Sequence, residues 1–182
     1  VAMLGLPTKL DRIEGLQQSL YADDVTLWVT SGSDGHREEI LQQAVNMVER
    51  YVENKGLKCS PQKSELLLYT PTSRGRKRNK ERPSITISVG SHPIPQVQHL
   101  RIQGLRISEN RHTGESIRIL DNSTQQTIRL ARRIANKNIG MKEHNLARLL
   151  QAFVISRIVY VTPYLKVHVA EKQKIEYITR KA

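Results

Sequence analysis

The chain has 182 residues, and its 29 Lys and Arg against 17 Asp and Glu give a formal charge of +12, a balance that favours polyanionic partners, nucleic acid foremost. A single cysteine, Cys59, excludes an internal disulfide and a cysteine-built zinc site, and the six histidines are scattered without paired metal spacing. Aromatic residues make up only 4%, which argues for contact with backbone phosphates rather than an extended base-stacking platform. No apolar run is expected to span a membrane, and the start, Val1-Ala2-Met3-Leu4-Gly5-Leu6-Pro7, lacks the basic lead and full apolar core of a signal peptide. The expectation is an intracellular chain, and the absent initiator Met suggests a piece of a longer protein.

In chain order, Val1 to Leu6 reads as the end of a helix stopped by Pro7, and Lys9 to Gly15 as a short connector. Leu16 to Leu20 leads into a first strand. Tyr21-Ala22-Asp23-Asp24 follows, and then Val25, Leu27 and Val29 alternate with Thr26, Trp28 and Thr30, the period of a half-buried strand. Adjacent carboxylates between two such runs mark the tip of a tight hairpin; by residue type alone they could simply face water. Ser31-Gly32-Ser33-Asp34-Gly35 is turn-rich and offers Ser33 or Asp34 as N-cap. A helix is expected from about His36 to Asn54, burying Ile40, Ala44, Val48 and Val52 with Leu41, Val45 and Tyr51 beside them, and stopped by Lys55-Gly56.

Gly56-Leu57-Lys58-Cys59-Ser60-Pro61-Gln62-Lys63-Ser64-Glu65 then precedes a strand at Leu66 to Tyr69. The stretch 71–83 is bracketed by prolines, has no apolar residue and carries Arg74, Arg76, Lys77 and Arg78. It suits an exposed loop, a phosphate-contacting arm or a nuclear-import signal. Ile85, Ile87 and Val89 alternate as a strand turned by Gly90-Ser91, and Ile94 to Val97 lead into a hairpin from His99 to Ile107. From Ser116 the period becomes helical, with Ile117, Leu120, Thr124, Ile128 and Ala131 or Ile134 on one stripe and Arg118, Arg129, Arg132 and Arg133 elsewhere. A second helix, Glu143 to Tyr160, carries Leu146, Leu149, Leu150, Phe153, Val154 and Ile158; Pro163 breaks it, and a third begins at Glu171.

The acidic hairpin resembles the Tyr-X-Asp-Asp box of reverse transcriptases, and the order that follows strengthens the resemblance. Helix, Gly-Leu block with Lys-Ser-Glu, strand hairpin and basic helices recur in that family, most closely in its non-LTR, LINE-type retrotransposon polymerases. The resemblance implies an α+β fold: residues 1–110 as a partial palm with a primer-grip-like hairpin, and 111–182 as a truncated, helical, thumb-like region. It implies RNA-directed DNA synthesis, in which two divalent ions about 3.5–4 Å apart neutralise the attacking and leaving oxygens. Asp23 and Asp24 would be the metal ligands, for magnesium or alternatively manganese. Tyr21 and Ala22 would lie beside the primer end, and Lys63 would protonate departing pyrophosphate, with Lys58 the weaker alternative.

Gly104 matches the family's primer grip; Gln103 stands where an apolar residue is usual, so either the strand tip is exposed or the copy has drifted. Arg74, Arg76, Lys77, Arg78, Arg129, Arg132 and Arg133 would meet phosphates. The implied partners are an RNA template, a DNA primer and deoxynucleotides, with no membrane, and the implied location is the nucleus with a cytoplasmic ribonucleoprotein stage. The family also needs an aspartate on an earlier strand. Asp11, Asp34 and Asp121, the other aspartates, do not supply it, so the fingers and first palm strands are expected upstream and the chain alone is expected to be inactive. The reading from another class is a non-catalytic, basic nucleic-acid-binding remnant of a decayed transposable element.

Overall fold

The computed structural model describes residues 3–69, 85–110, 113–135, 140–165 and 167–181. The architecture is α+β, helices with short two-stranded sheets, and it divides into two compact units, 1–102 and 103–182.

Unit one opens with helix α1, Leu6–Leu10. Pro7 starts this helix instead of stopping one, which corrects the sequence expectation on both sides: Lys9 and Leu10 are helical, not connector. The reason is that a first-turn N–H has no intrahelical acceptor, so proline there loses nothing and its fixed φ suits the helix. Strand β1 (Leu16–Tyr21) pairs antiparallel with β2 (Asp24–Val29). Helix α2 (Asp34–Glu53) follows, two residues ahead of the expected start, with the Ser33 hydroxyl accepting from the His36 N–H at 3.3 Å. At its end the Leu57 N–H reaches the Val52 carbonyl and the Gly56 N–H the Glu53 carbonyl, both 2.9 Å. Gly56 closes that motif at φ +73, where a side chain would be strained.

Leu6, Leu10, Ile13, Ile40, Ala44, Val48 and Val52 form the core of unit one, and Leu16, Leu20, Val25, Leu27 and Val29 pack onto it from the hairpin. Cys59 packs against the same core; burial, and then the Glu49 and Glu53 carboxylates, raise its thiol above the ordinary value. The strand expected over Leu66 to Tyr69 shortens to β3, Leu66–Leu67, which pairs in parallel with β6, Gln96–Val97. Between them β4 (Ser88–Val89) and β5 (His92–Pro93) make a hairpin around Gly90-Ser91, with Ile85, Ile87 and Val89 buried as their alternation predicts. The Gln42 amide clamps β4 to α2, donating to the Ser88 carbonyl and accepting the Ser88 N–H, each at 2.9 Å. Strand β7, His99–Ile102, ends the unit.

Unit two begins at the turn Gln103-Gly104, both at positive φ (48° and 84°), followed by β8, Leu105–Ser108. Positive φ at both central residues is the two-residue hairpin geometry that suits strand twist. Helix α3 (Gly114–Ile134) buries Ile117, Leu120, Thr124, Ile128 and Ala131. Ala131, not Ile134, completes the stripe, and Ile134 is exposed. Helix α4 (Glu143–Leu150) runs through a π-helical turn at Gln151–Ile155 into α5 (Ser156–Val161), and a 3₁₀ turn holds Pro163. The wider turn leaves Phe153 exposed while Val154 and Ile158 enter the core. This helical stretch, Glu143–Tyr164, is long and apolar enough by length and composition to cross a membrane, which corrects the expectation that no segment reaches such a length. Helix α6, Val169–Lys181, completes the unit through Ile175 and Ile178.

Candidate functional site

The pairing register decides what the β1–β2 hairpin presents. Tyr21 lies opposite Asp24, so Ala22-Asp23 is the two-residue loop and Asp24 the first residue of the returning strand. Alternation then sends Leu16, Leu20, Val25, Leu27 and Val29 to the core and leaves Ser19, Tyr21, Asp24 and Trp28 on the outer face. Asp23 and Asp24 are both exposed at the tip, where the sequence predicts them.

Ala22 adopts φ +54. Left-handed backbone costs an L-residue roughly 1–2 kcal/mol, and alanine has no polar side chain to offset it locally. The tip holds this strain because the two strands fix both ends of the loop over a packed face. Backbone strain of this sort concentrates at functional sites.

Among the described residues neither carboxylate takes part in a hydrogen bond or an ion pair. Two adjacent, unengaged carboxylates on a rigid turn offer hard oxygen donors, the kind that magnesium takes while it keeps several waters. The pair therefore fits part of a divalent-cation site. Among the described residues no group of three or more His, Cys, Asp or Glu is gathered to complete one.

The other aspartates are engaged elsewhere. Asp11 caps α1 and its Oδ1 accepts from Gln18 Nε2 at 2.8 Å. Asp34 pairs with Arg37 at 3.4 Å, and Asp121 Oδ1 accepts from Gln125 Nε2 on α3 at 3.3 Å. The Gln18 amide is a contact that composition conceals: it also donates to the Pro7 carbonyl at 2.9 Å, tying β1 to α1 beneath the acidic tip.

Lys63 ends a 3₁₀ turn, Pro61–Lys63, and is exposed; no ion pair joins it to Asp23 or Asp24. The structure thus brings Tyr21, Ala22, Asp23 and Asp24 together in one hairpin and places Lys63 on a separate turn. Arg74, Arg76, Lys77 and Arg78 lie outside the described residues.

In unit two Gln103 is exposed: the turn faces solvent, and its carbonyl accepts from the Tyr160 hydroxyl at 2.8 Å. Gly104 takes the second turn position. Arg129, Arg132 and Arg133 are exposed on the C-terminal half of α3 at spacings that share one face. Arg132 and Arg133 also complement the negative end of that helix. Arg106 and Arg118 both turn to Glu115, at 3.6 and 3.5 Å.

Trp28 is exposed on the outer face with Thr26 and Asp24, the side to which the alternation assigns it, whereas the Gln18 link to α1 carries no signal in the sequence. Comparison with known proteins gives no match: no family model, no curated protein and no solved structure matches the chain.

Proposed function

We propose that this chain is the C-terminal palm and first thumb helices of an RNA-directed DNA polymerase of the LINE retrotransposon type, copying RNA into DNA by metal-assisted nucleotidyl transfer. The observation that carries the reading is the placement of Tyr21-Ala22-Asp23-Asp24. The motif spans the loop of an antiparallel hairpin whose inner face packs on α2, with both acids exposed and unengaged. A divalent ion bound there supplies charge neutralisation at the phosphate oxygens.

The residues of this chain have separate roles in that scheme. Asp23 and Asp24 hold the ion at the strand end, and the small Ala22 lets a primer terminus approach the backbone. Tyr21, on the same face as Asp24, flanks that approach. Lys63 donates a proton to the leaving pyrophosphate. The turn at Gly104 and the α3 arginines hold the duplex through its backbone. RNA template, DNA primer and deoxynucleotides are the partners, with a nuclear site of action.

Two carboxylates on one tip cannot by themselves fix the separation of two ions, and Asp11, Asp34 and Asp121 are committed to helix ends and helix faces. Positioning and charge stabilisation are nearly all that phosphoryl-transfer enzymes contribute, so the chain alone is expected not to extend a primer. The test is primer extension by a polymerase joining this chain to an upstream palm and fingers. Asp23→Asn in it should abolish synthesis while leaving RNA binding and the melting temperature unchanged. Normal synthesis by that variant, or extension by the isolated chain, overturns the assignment.

A further inference from the structure

Unit one carries a second feature that neither Asp23, Asp24 nor Lys63 lines. A groove of about 620 Å³ opens between α1 and the flank of α2, walled by Lys9, Arg12, Gln43, Asn46, Arg50 and Asn54, with Met47 and Tyr51 as its floor. On α2 and its C-cap Asn54 these positions recur at helical spacing beside the buried stripe, so one face of the helix gives the amides and an arginine, while α1 gives Lys9 and the turn after it gives Arg12.

Among the described residues no acid lines the groove. Glu49 turns to Gly90, the charges of Glu49 and Glu53 act on the Cys59 thiol, and Asp11 is held by Gln18. Among the described residues Lys9, Arg12 and Arg50 make no ion pair. Asn46 Oδ1 accepts from Gln42 at 2.8 Å, so its amide N–H groups are what it has left to offer the groove. The C-terminal end of α2 contributes about half a negative charge, well below the three positive charges facing it.

We propose that this groove binds the phosphodiester backbone of a single nucleic-acid strand, at a place separate from the acidic tip. Guanidinium forks on Arg12 and Arg50 suit phosphate oxygens, and the three amides can meet ribose hydroxyls and base edges. The volume is that of a small-ligand cleft, enough for one or two nucleotides and too small for a duplex. Tyr51 is not a stacking platform, because Lys9 Nζ covers its ring 5.1 Å from the centroid. The proposal does not depend on the polymerase reading, since the groove and the tip share no residue.

The test uses the 182-residue chain and a short fluorescein-labelled single-stranded RNA, titrated at stepped salt concentrations. Replacing Lys9, Arg12 and Arg50 by Gln should weaken binding roughly tenfold at low salt and reduce the slope of log K against log salt by about 2, near 0.7 for each phosphate left without its cation. All three side chains are exposed, so the melting temperature should hold. Arg12→Lys with Arg50→Lys should retain most of the slope. The control replaces Lys172, Lys174 and Arg180 of α6, which removes the same charge, and should cost clearly less. An unchanged slope in the groove variant, or an equal weakening in the α6 variant, overturns the proposal. Inorganic phosphate serves as competitor; if the groove variant loses phosphate binding while keeping RNA binding, the groove is a free-phosphate site and the strand-binding proposal fails.

Discussion

Ala22 shows how one backbone angle separates a foldable tip from a comfortable one. Its φ of +54 sits between two strands whose register leaves only Ala22 and Asp23 to turn the chain, and of these two Ala22 takes the positive angle. Glycine would relieve roughly 1–2 kcal/mol of left-handed cost but would free the unfolded chain by about 0.4–1 kcal/mol. Ala22→Gly is therefore expected to raise stability by a few tenths to about 1 kcal/mol, and Ala22→Val, with its branched Cβ against the same turn, to lower it by more than about 1 kcal/mol. Urea midpoints of the two variants against the parent chain check both signs. The four residues of the tip, and which side of the strands faces water, were legible because period-two alternation fixes faces once the turn is known. The strain was not legible: alanine carries no preference for that region, and only the pairing of Tyr21 with Asp24 reveals that it must occupy it.

Helices are readable where one stripe carries the burial and misleading where a turn changes the register. The stripe of α2 emerges as predicted because Ile40, Ala44, Val48 and Val52 repeat every four residues without interruption. The π-helical turn at 151–155 inserts an extra residue into the period, so Phe153, grouped with the apolar positions by spacing, ends exposed. Pro7 misleads for a related reason, since proline marks both helix starts and helix stops and the choice depends on what precedes it. On α3 the stripe is regular but holds one polar member. Thr124 is fully buried, its hydroxyl has no partner among the described residues, and the neighbouring Leu120 carbonyl already accepts from Ser123 at 2.9 Å. Thr124→Val keeps the shape and removes an unsatisfied hydroxyl, a group whose burial costs roughly 1–3 kcal/mol. The variant is expected to stabilise unit two by about 1 kcal/mol, with α3 amides more protected in hydrogen exchange; a loss of stability would mean that the hydroxyl is satisfied.

At the scale of the whole chain, composition indicated a basic protein and the two periods indicated strands and helices, but the groove of unit one was invisible. Lys9 and Arg12 are remote in sequence from Gln43 to Asn54, and only the packing of α1 on α2 brings them together. Long-range polar contacts of this kind leave no period to read. Glu171 is the same case in unit two. Its Oε1 accepts from the Thr113 hydroxyl at 2.7 Å and its Oε2 from the His168 N–H at 2.9 Å, joining the start of α3 to the start of α6. Partial burial alone would raise its carboxyl, but the His168 N–H and the Thr113 hydroxyl, aided by the charges of His168 and Lys174, outweigh it and hold the group below its ordinary value. A carboxyl lowered in the folded state binds fewer protons there than when unfolded, so its stabilising effect is complete above the ordinary glutamate range near about 4.3. It is lost as pH falls through the lowered value. Because the chain forms two units, the effect should appear in unit two first. Hydrogen exchange followed from neutral to acid pH is expected to show amides of α3 and α6 losing protection relative to those of α2 below that range. In Glu171→Gln, which cannot ionise, unit two should be weaker by about 1 kcal/mol at neutral pH and this part of its acid sensitivity should vanish. If the variant and the parent lose protection in parallel as the pH falls, the Glu171 contacts do not set the acid response.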